Sequence, residues 1–340
     1  MRRRYAGGGV KPGWIIIAVI AGIMMAAILG KDGQPPKEKA IIELEKQSEG
    51  QKEIGPVFIN MYNHYDKVIE NIELEEYVAG VVSAEMPISF GMEALKAQAV
   101  AARTLALKKS TANGRGCAKQ KGADICSDST HCQAWNGEEK RREKWGGAFN
   151  DNEARLKKAV EETAGLILEY EEQPIEVFYH STAGGKTENS ENVFSKALPY
   201  LVGVDSPGEE SAPRYEGNVT VSSDKFVSNI KKAYPSAKIS KSDIKEAIGA
   251  IVRFESGRVD TITIGGQKIE GTEIRSMFGL NSANFTISFN ESGVVFSTKG
   301  FGHGVGMSQT GADHMAGQGV GFEEILKHYY TGVEIVKFGG

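Results

Sequence analysis

Val81-Val82-Ser83-Ala84-Glu85-Met86-Pro87 and, four residues later, Met92-Glu93-Ala94-Leu95-Lys96-Ala97-Gln98-Ala99-Val100-Ala101-Ala102-Arg103-Thr104-Leu105-Ala106-Leu107-Lys108-Lys109 decide the fold. The first stretch ends a helical pattern that starts at Glu73. Pro87 stops it, because the residue before a proline is pushed out of the α region. The second has no glycine, no proline and many alanines, so propensity favours a helix that neighbours can approach closely. Lys96 and Arg103 are seven apart, about two turns, and share one face. Glu85 lies among apolar residues at a helix C-terminus, where the macrodipole is negative. Both features raise a carboxyl pKa, which suits a general acid near neutral pH; a solvated glutamate at a helix end has the same spacing.

Upstream, Val57 to Ile59 and Val68 to Ile69 are weak strand signals around a polar turn. Residues 31–55 are charged and read as a linker. Before them, Trp14 to Leu29 is 16 residues without a charge, preceded by Arg2, Arg3, Arg4 and Lys11. With Gly13 and Gly30 the run just reaches the ~17 residues that span a bilayer. We read a cytoplasmic basic tail at 1–13, a transmembrane helix at 14–30 and an exported body, since the basic flank stays inside. A cleaved signal peptide is the rival, but its apolar region is usually ~7–15 residues.

Downstream, residues 110–152 hold all three cysteines and a charged run, and read as an inserted lobe with little regular core. Cys126, His131 and Cys132 lie within seven residues, with Cys117 nine upstream. Zinc takes such ligands and structural sites want four, so a metal staple competes with a disulfide, which an exported chain permits. A helix is expected at 153–164, then a hairpin of Leu166 to Tyr170 with Ile175 to Ser181 around Glu-Glu-Gln-Pro. Residues 215–298 form a mixed subregion with helices at 226–234 and 243–250 and strands at 251–255, 259–264, 284–289 and 293–298. Gly300-Phe301-Gly302-His303-Gly304-Val305-Gly306-Met307-Ser308-Gln309 follows, with four glycines free to take left-handed backbone. It is no nucleotide loop. Helices near 307–316 and at 322–330 and a strand at 333–336 end the chain. The expected class is α+β, mixed helices and antiparallel strands forming a substrate groove over residues 56–340. The 340 residues hold 44 acidic and 40 basic groups, a formal charge of −4, which argues against a general nucleic-acid binder.

Four ordered motifs together resemble the stage II sporulation protein D family and its amidase-enhancer relatives. They are the Val-Val-Ser-Ala-Glu-Met-Pro block, the Ala-Leu-Lys-Ala-Gln-Ala-Val-Ala-Ala-Arg-Thr helix, Tyr179-His180-Ser181-Thr182-Ala183-Gly184-Gly185 and the glycine-rich decapeptide. Thr310 departs from the tyrosine usual after the glutamine. The resemblance implies a membrane-anchored lytic transglycosylase that cuts peptidoglycan glycan strands at the sporulation septum during engulfment. It prefers strands stripped of stem peptides and works with stage II sporulation proteins P and M. Its catalytic acid falls on Glu85, and its zinc cluster on Cys126, His131 and Cys132. Lys96 and Arg103 are then candidates to pair with the lactyl carboxylate freed by peptide removal. Tyr179, His180, Ser181, His303, Gln309 and Tyr330 are candidate groove walls. A zinc hydrolase and a noncatalytic activator of an amidase are the competing readings.

Overall fold

The structure, a computed structural model, describes residues 55–111, 115–194 and 196–338. The expected transmembrane helix and most of the linker lie outside the described residues. Among the described residues no helix is long and apolar enough to cross a membrane.

Strands β1 (Phe58–Asn63) and β2 (Val68–Glu73) pair antiparallel, with Phe58 opposite Glu73. Ile59, Met61 and Asn63 point inward, the period-2 alternation of a half-buried strand. Helix α1 (Leu74–Glu85) starts where the Glu73 side chain accepts from the Glu76 N–H, and carries Glu75 and Glu76 in its first turn. It ends because Met86, ahead of Pro87, is extended. No cation sits in its last turn.

Helix α2 (Met92–Lys109) buries residues on every side. Such a helix belongs inside a core, and its alanines let α1 and three later helices crowd against it. A two-residue strand, β3 (Ile125–Cys126), runs parallel to β1 and ties the cysteine segment to the sheet. The rest of that segment is more regular than its composition suggested. Helices α3 (Glu138–Trp145) and α4 (Phe149–Glu161) fill its second half. The charged run folds because Arg141, fully buried, pairs with Glu153 at 2.9 Å and Glu76 at 2.8 Å.

Strand β4 (Leu166–Tyr170) turns through Glu171 and Glu172, both at positive φ, into β5 (Gln173–Pro174). The expected longer hairpin does not form. The chain leaves after Pro174, and β6 (Tyr179–His180) pairs elsewhere.

The subregion has its own core. It comprises β7 (Glu216–Val221), α5 (Ser223–Ala233), β8 (Ile248–Arg253), β9 (Val259–Ile264), β10 (Gln267–Glu270), α6 (Gly271–Phe278), β11 (Phe285–Asn290) and β12 (Gly293–Lys299). The strands form two antiparallel sheets, ordered β8-β9-β10 and β11-β12-β7. Phe226, Phe278 and Phe296 stack in that core, with Phe278 5.1 Å from each neighbour. The chain then returns to the main body. β13 (Met307–Ser308) runs parallel to β6, α7 (Gln309–Gly317) and α8 (Phe322–Tyr329) cover α2, and β14 (Glu334–Lys337) pairs antiparallel with β4. The architecture is α+β, as expected.

Candidate active site

Glu85 is the last residue of α1 and half-buried. Its Oε1 accepts the Ala134 N–H at 2.7 Å. Burial raises its pKa, while the Ala134 N–H and the Gln309 amide oppose the rise without cancelling it. The C-terminal end of α1 adds the negative pole of the helix dipole. The carboxyl therefore holds its proton more tightly than a solvated glutamate, yet has donors in place for the anion.

Neutral polar groups surround it. Gln309 opens α7, where Ser308 caps the helix by accepting from the Gly311 N–H. The Gln309 amide donates to Gln98 Oε1 at 3.3 Å. The Tyr179 hydroxyl donates to Gln133 Oε1 at 2.8 Å, and Gln133 Nε2 donates to the Tyr77 hydroxyl at 3.1 Å. Burial pushes both phenols well above their usual pKa, so they stay neutral. The segments of Ala134 and Gln309, remote in sequence, thus meet at one carboxyl, and Tyr77, Gln98, Gln133 and Tyr179 extend the polar cluster beside it.

The loop that brings Gln133 and Ala134 is fixed from both sides. On one side Trp135 lies flat against α1 at Gly80. A Cβ on Gly80 would come within 2.1 Å of the indole Nε1, so only glycine fits. The Asn136 N–H donates to the Gly80 carbonyl at 3.1 Å. On the other side are Cys117, Cys126, His131 and Cys132, whose ligand atoms all lie within 4.8 Å of one another. His131 Nδ1 is 3.8 Å from Cys117 Sγ, 3.3 Å from Cys126 Sγ and 3.2 Å from Cys132 Sγ. Zn–S bonds of ~2.3 Å at tetrahedral angles give edges of roughly 3.5–3.8 Å, so the four residues fit one zinc. The three thiols are unpaired as disulfides.

Of the expected sugar-contacting residues, Tyr179 and Gln309 join Glu85. The others lie elsewhere. Gln98 faces Gln309, and Lys96 and Arg103 are on the opposite side of α2. Arg103 is fully buried and forks onto Glu75, with Nε 2.9 Å from Oε1 and Nη2 2.5 Å from Oε2. It has no surface to offer an anionic sugar. Lys96 is held by Glu93 at 2.8 Å and Glu162 at 2.6 Å. Heptad spacing put the two cations on one face, but that face meets acids of this chain.

His180 points to the other face of β6 from Tyr179. It is buried, its Nδ1 3.2 Å from the Val305 carbonyl, and burial lowers its pKa well below the usual value. His303 Nδ1 accepts the Val305 N–H at 3.1 Å, and burial brings its pKa to about 4. Tyr330 is fully buried and donates to the Phe178 carbonyl at 2.8 Å, so it is no groove wall. Ser181 is half-buried, and its carbonyl accepts the Thr310 N–H at 3.0 Å and the Thr310 hydroxyl at 3.1 Å. Thr310 thus serves the backbone of the Tyr-His-Ser strand.

The residues that sequence reasoning missed are Gln98, Gln133 and the Ala134 N–H. A lone glutamine inside an alanine-rich helix was a visible signal. Nothing in the sequence marked Ala134.

Residues 62–170 match the protein family described as Stage II sporulation protein. The chain is similar to the stage II sporulation protein D of Bacillus amyloliquefaciens, 39% identical over 83% of this chain and 79% of that protein. It is similar to its counterpart in Bacillus subtilis, 37% identical over 88% of this chain and 85% of that protein. The amidase enhancer of Bacillus subtilis is 28% identical over 76% of this chain and 40% of its own length.

Proposed function

The chain belongs to the stage II sporulation protein D family, and we propose that it is a lytic transglycosylase of sporulation that cuts peptide-free peptidoglycan glycan strands. The observation that carries this reading is Glu85, a carboxyl of raised pKa served by a backbone N–H and an amide. Its partners are a backbone N–H and an amide, both neutral. Hydrolysis by glycosidases normally needs two carboxyl groups, one for the leaving oxygen and one for the nucleophile or water. Intramolecular transfer needs one. Glu85 protonates the glycosidic oxygen as the C1–O bond breaks. The C6 hydroxyl of the same muramic acid attacks C1, and its proton passes to the Glu85 carboxylate. A 1,6-anhydro ring results, no water is consumed, and Glu85 ends protonated as it began. The Ala134 N–H and the Gln309 amide hold the carboxyl, and Glu85 and Tyr179, both half-buried, are the groups with surface to offer the sugar.

Cys117, Cys126, His131 and Cys132 would hold a zinc in a structural role, since four protein ligands leave no open position. Tied in this way, the four residues would fix the loop that presents Ala134 to Glu85. The apolar run at 14–30 anchors the protein, with the body outside the cytoplasmic membrane beside the wall. The amidase and membrane partners, stage II sporulation proteins P and M, supply denuded strands and localisation.

The test incubates the full chain with peptide-free glycan strands and looks for anhydro ends by mass spectrometry. Glu85→Gln keeps glycan binding and yields no anhydro product. Full activity in that variant overturns the assignment; anhydro-free cleavage, or amidase stimulation without cleavage, replaces it.

A further inference from the structure

Behind β6, on the side of His180 rather than Tyr179, a cavity lies between the main body and the subregion strands. It is lined by Glu188, Asn192, Arg258, Thr272, Arg275 and His303 among others. Its enclosed space is about 20 Å³. That is room for one or two waters, so an acid group enters and a sugar ring does not.

The charges lining it do not balance. Arg258, 2% exposed, donates to the carbonyls of Lys186 at 2.8 Å and Ala183 at 2.7 Å, and its Nε has no partner. Glu188 in the lining and Glu209 outside it are the carboxylates that offset it. Both oxygens of Glu188 are already occupied, Oε1 by the Asn189 N–H and Asn192 Nδ2, each at 2.9 Å, and Oε2 by Ser256 Oγ. Arg275 is left over. Among the described residues its guanidinium has no hydrogen-bond or ion-pair partner, and its Nε is buried. His303 is neutral and adds no charge. Arg275 is half-buried, so its outer nitrogens keep access from outside, and a carboxylate is the natural complement of an unpaired guanidinium.

We propose that this cavity is a carboxylate-binding site, with Arg275 and Arg258 as the cations. Resting on the transglycosylase reading, its occupant is the lactyl carboxylate of a peptide-free muramic acid. The carboxylate end of the lactyl arm enters while the ring stays outside. Because the cavity and Glu85 lie on opposite faces of β6, the sugar held here is not the one being cut. The cation pair expected on α2 is replaced by one on the subregion. A strand still carrying stem peptides has an amide in place of this acid and loses the contact.

The full chain is compared with Arg275→Gln in two arms. In the first, calorimetry measures affinity for a peptide-free muramoyl oligosaccharide and for an N-acetylglucosamine oligomer of equal length without carboxylates. The wild type prefers the acid-bearing sugar by about ten- to a hundredfold, the worth of a charge-assisted contact, and R275Q binds both alike. In the second, sodium D-lactate raises the wild-type melting temperature relative to sodium chloride at equal ionic strength, and R275Q shows no difference. The second arm needs no glycan cleavage, so it stands if the transglycosylase reading fails. A signal in the first arm assigns the site to the glycan; a signal in the second alone assigns it to a free acid. Thr272→Glu, which puts an acid into the lining without deleting an arginine, also loses both signals and serves if R275Q does not fold. R275K retains them in part. Wild-type behaviour of R275Q and T272E in both arms overturns the site.

Discussion

Replacing Arg103 by methionine separates a structural cation from a sugar-binding one. The guanidinium is fully buried, forks onto Glu75 and donates Nη1 to the Leu166 carbonyl at 3.0 Å. Removing one partner of a buried ion pair destabilises by about 3–5 kcal/mol. The Glu75 side chain is 28% exposed, so its carboxylate regains some water, and the lower end of that range applies. Methionine keeps most of the apolar stem and avoids a large cavity. A loss of about 3 kcal/mol lowers the melting temperature of a body this size by about 6–12 °C. Urea denaturation followed by circular dichroism measures it. The preference for peptide-free over peptide-bearing strands stays at the wild-type ratio, measured below the variant's transition. A variant as stable as the wild type that lost this preference would refute the reasoning and return Arg103 to the substrate.

Three further outcomes are expected. Activity falls as pH rises through the Glu85 pKa, and this alkaline limb lies above the ordinary glutamate range. Raised in the fold, Glu85 stabilises fully below its unfolded pKa and loses that contribution as pH rises through the folded one; Glu85→Gln removes this slope in denaturation measured across pH, and an unchanged slope would count against it. Dialysis against a chelator releases one zinc per chain by elemental analysis and lowers the melting temperature. Cys117→Ser weakens zinc binding as severely as Cys132→Ser, and a Cys117→Ser chain with wild-type affinity would leave a three-residue site. Gly80→Ala forces Trp135 off α1, destabilises by about 1–3 kcal/mol and lowers the rate more than the affinity, because Ala134 moves with Trp135; unchanged kinetics would show that the loop is held otherwise.

The sequence read best where local preference and tertiary need agree. Helix α2 runs from Met92 to Lys109 as its composition demands, and β9 from Val259 to Ile264 as its alternation does. The run Glu138–Trp145 was misjudged because its helix depends on Arg141 meeting Glu76 and Glu153. No window of a few residues contains that partnership. The second arm of the expected hairpin failed for a similar reason. Tyr179 and His180 pair with Met307 and Ser308, beyond the whole subregion. Strand β10 and helix α6 went unseen, since Gly-Thr-Glu-Ile-Arg-Ser-Met-Phe is short and opens on a glycine. At the site, Glu85, Tyr179 and Gln309 were legible as residue types. The cations on α2 were not, because spacing fixes a face and says nothing of what that face meets.

The pairing of β6 with β13 also sets the order in which a working site can exist. A chain that emerges N-terminus first presents Glu85 long before Gln309. Until β13 docks on β6, Glu85 lacks the Gln309 amide and α2 lacks α7. Contacts of such long sequence separation form late and slowly. Half-emerged chains therefore carry Glu85 without its surroundings. The joining of two distant strands of two residues each thus completes the surroundings of Glu85 only once the last segment has arrived.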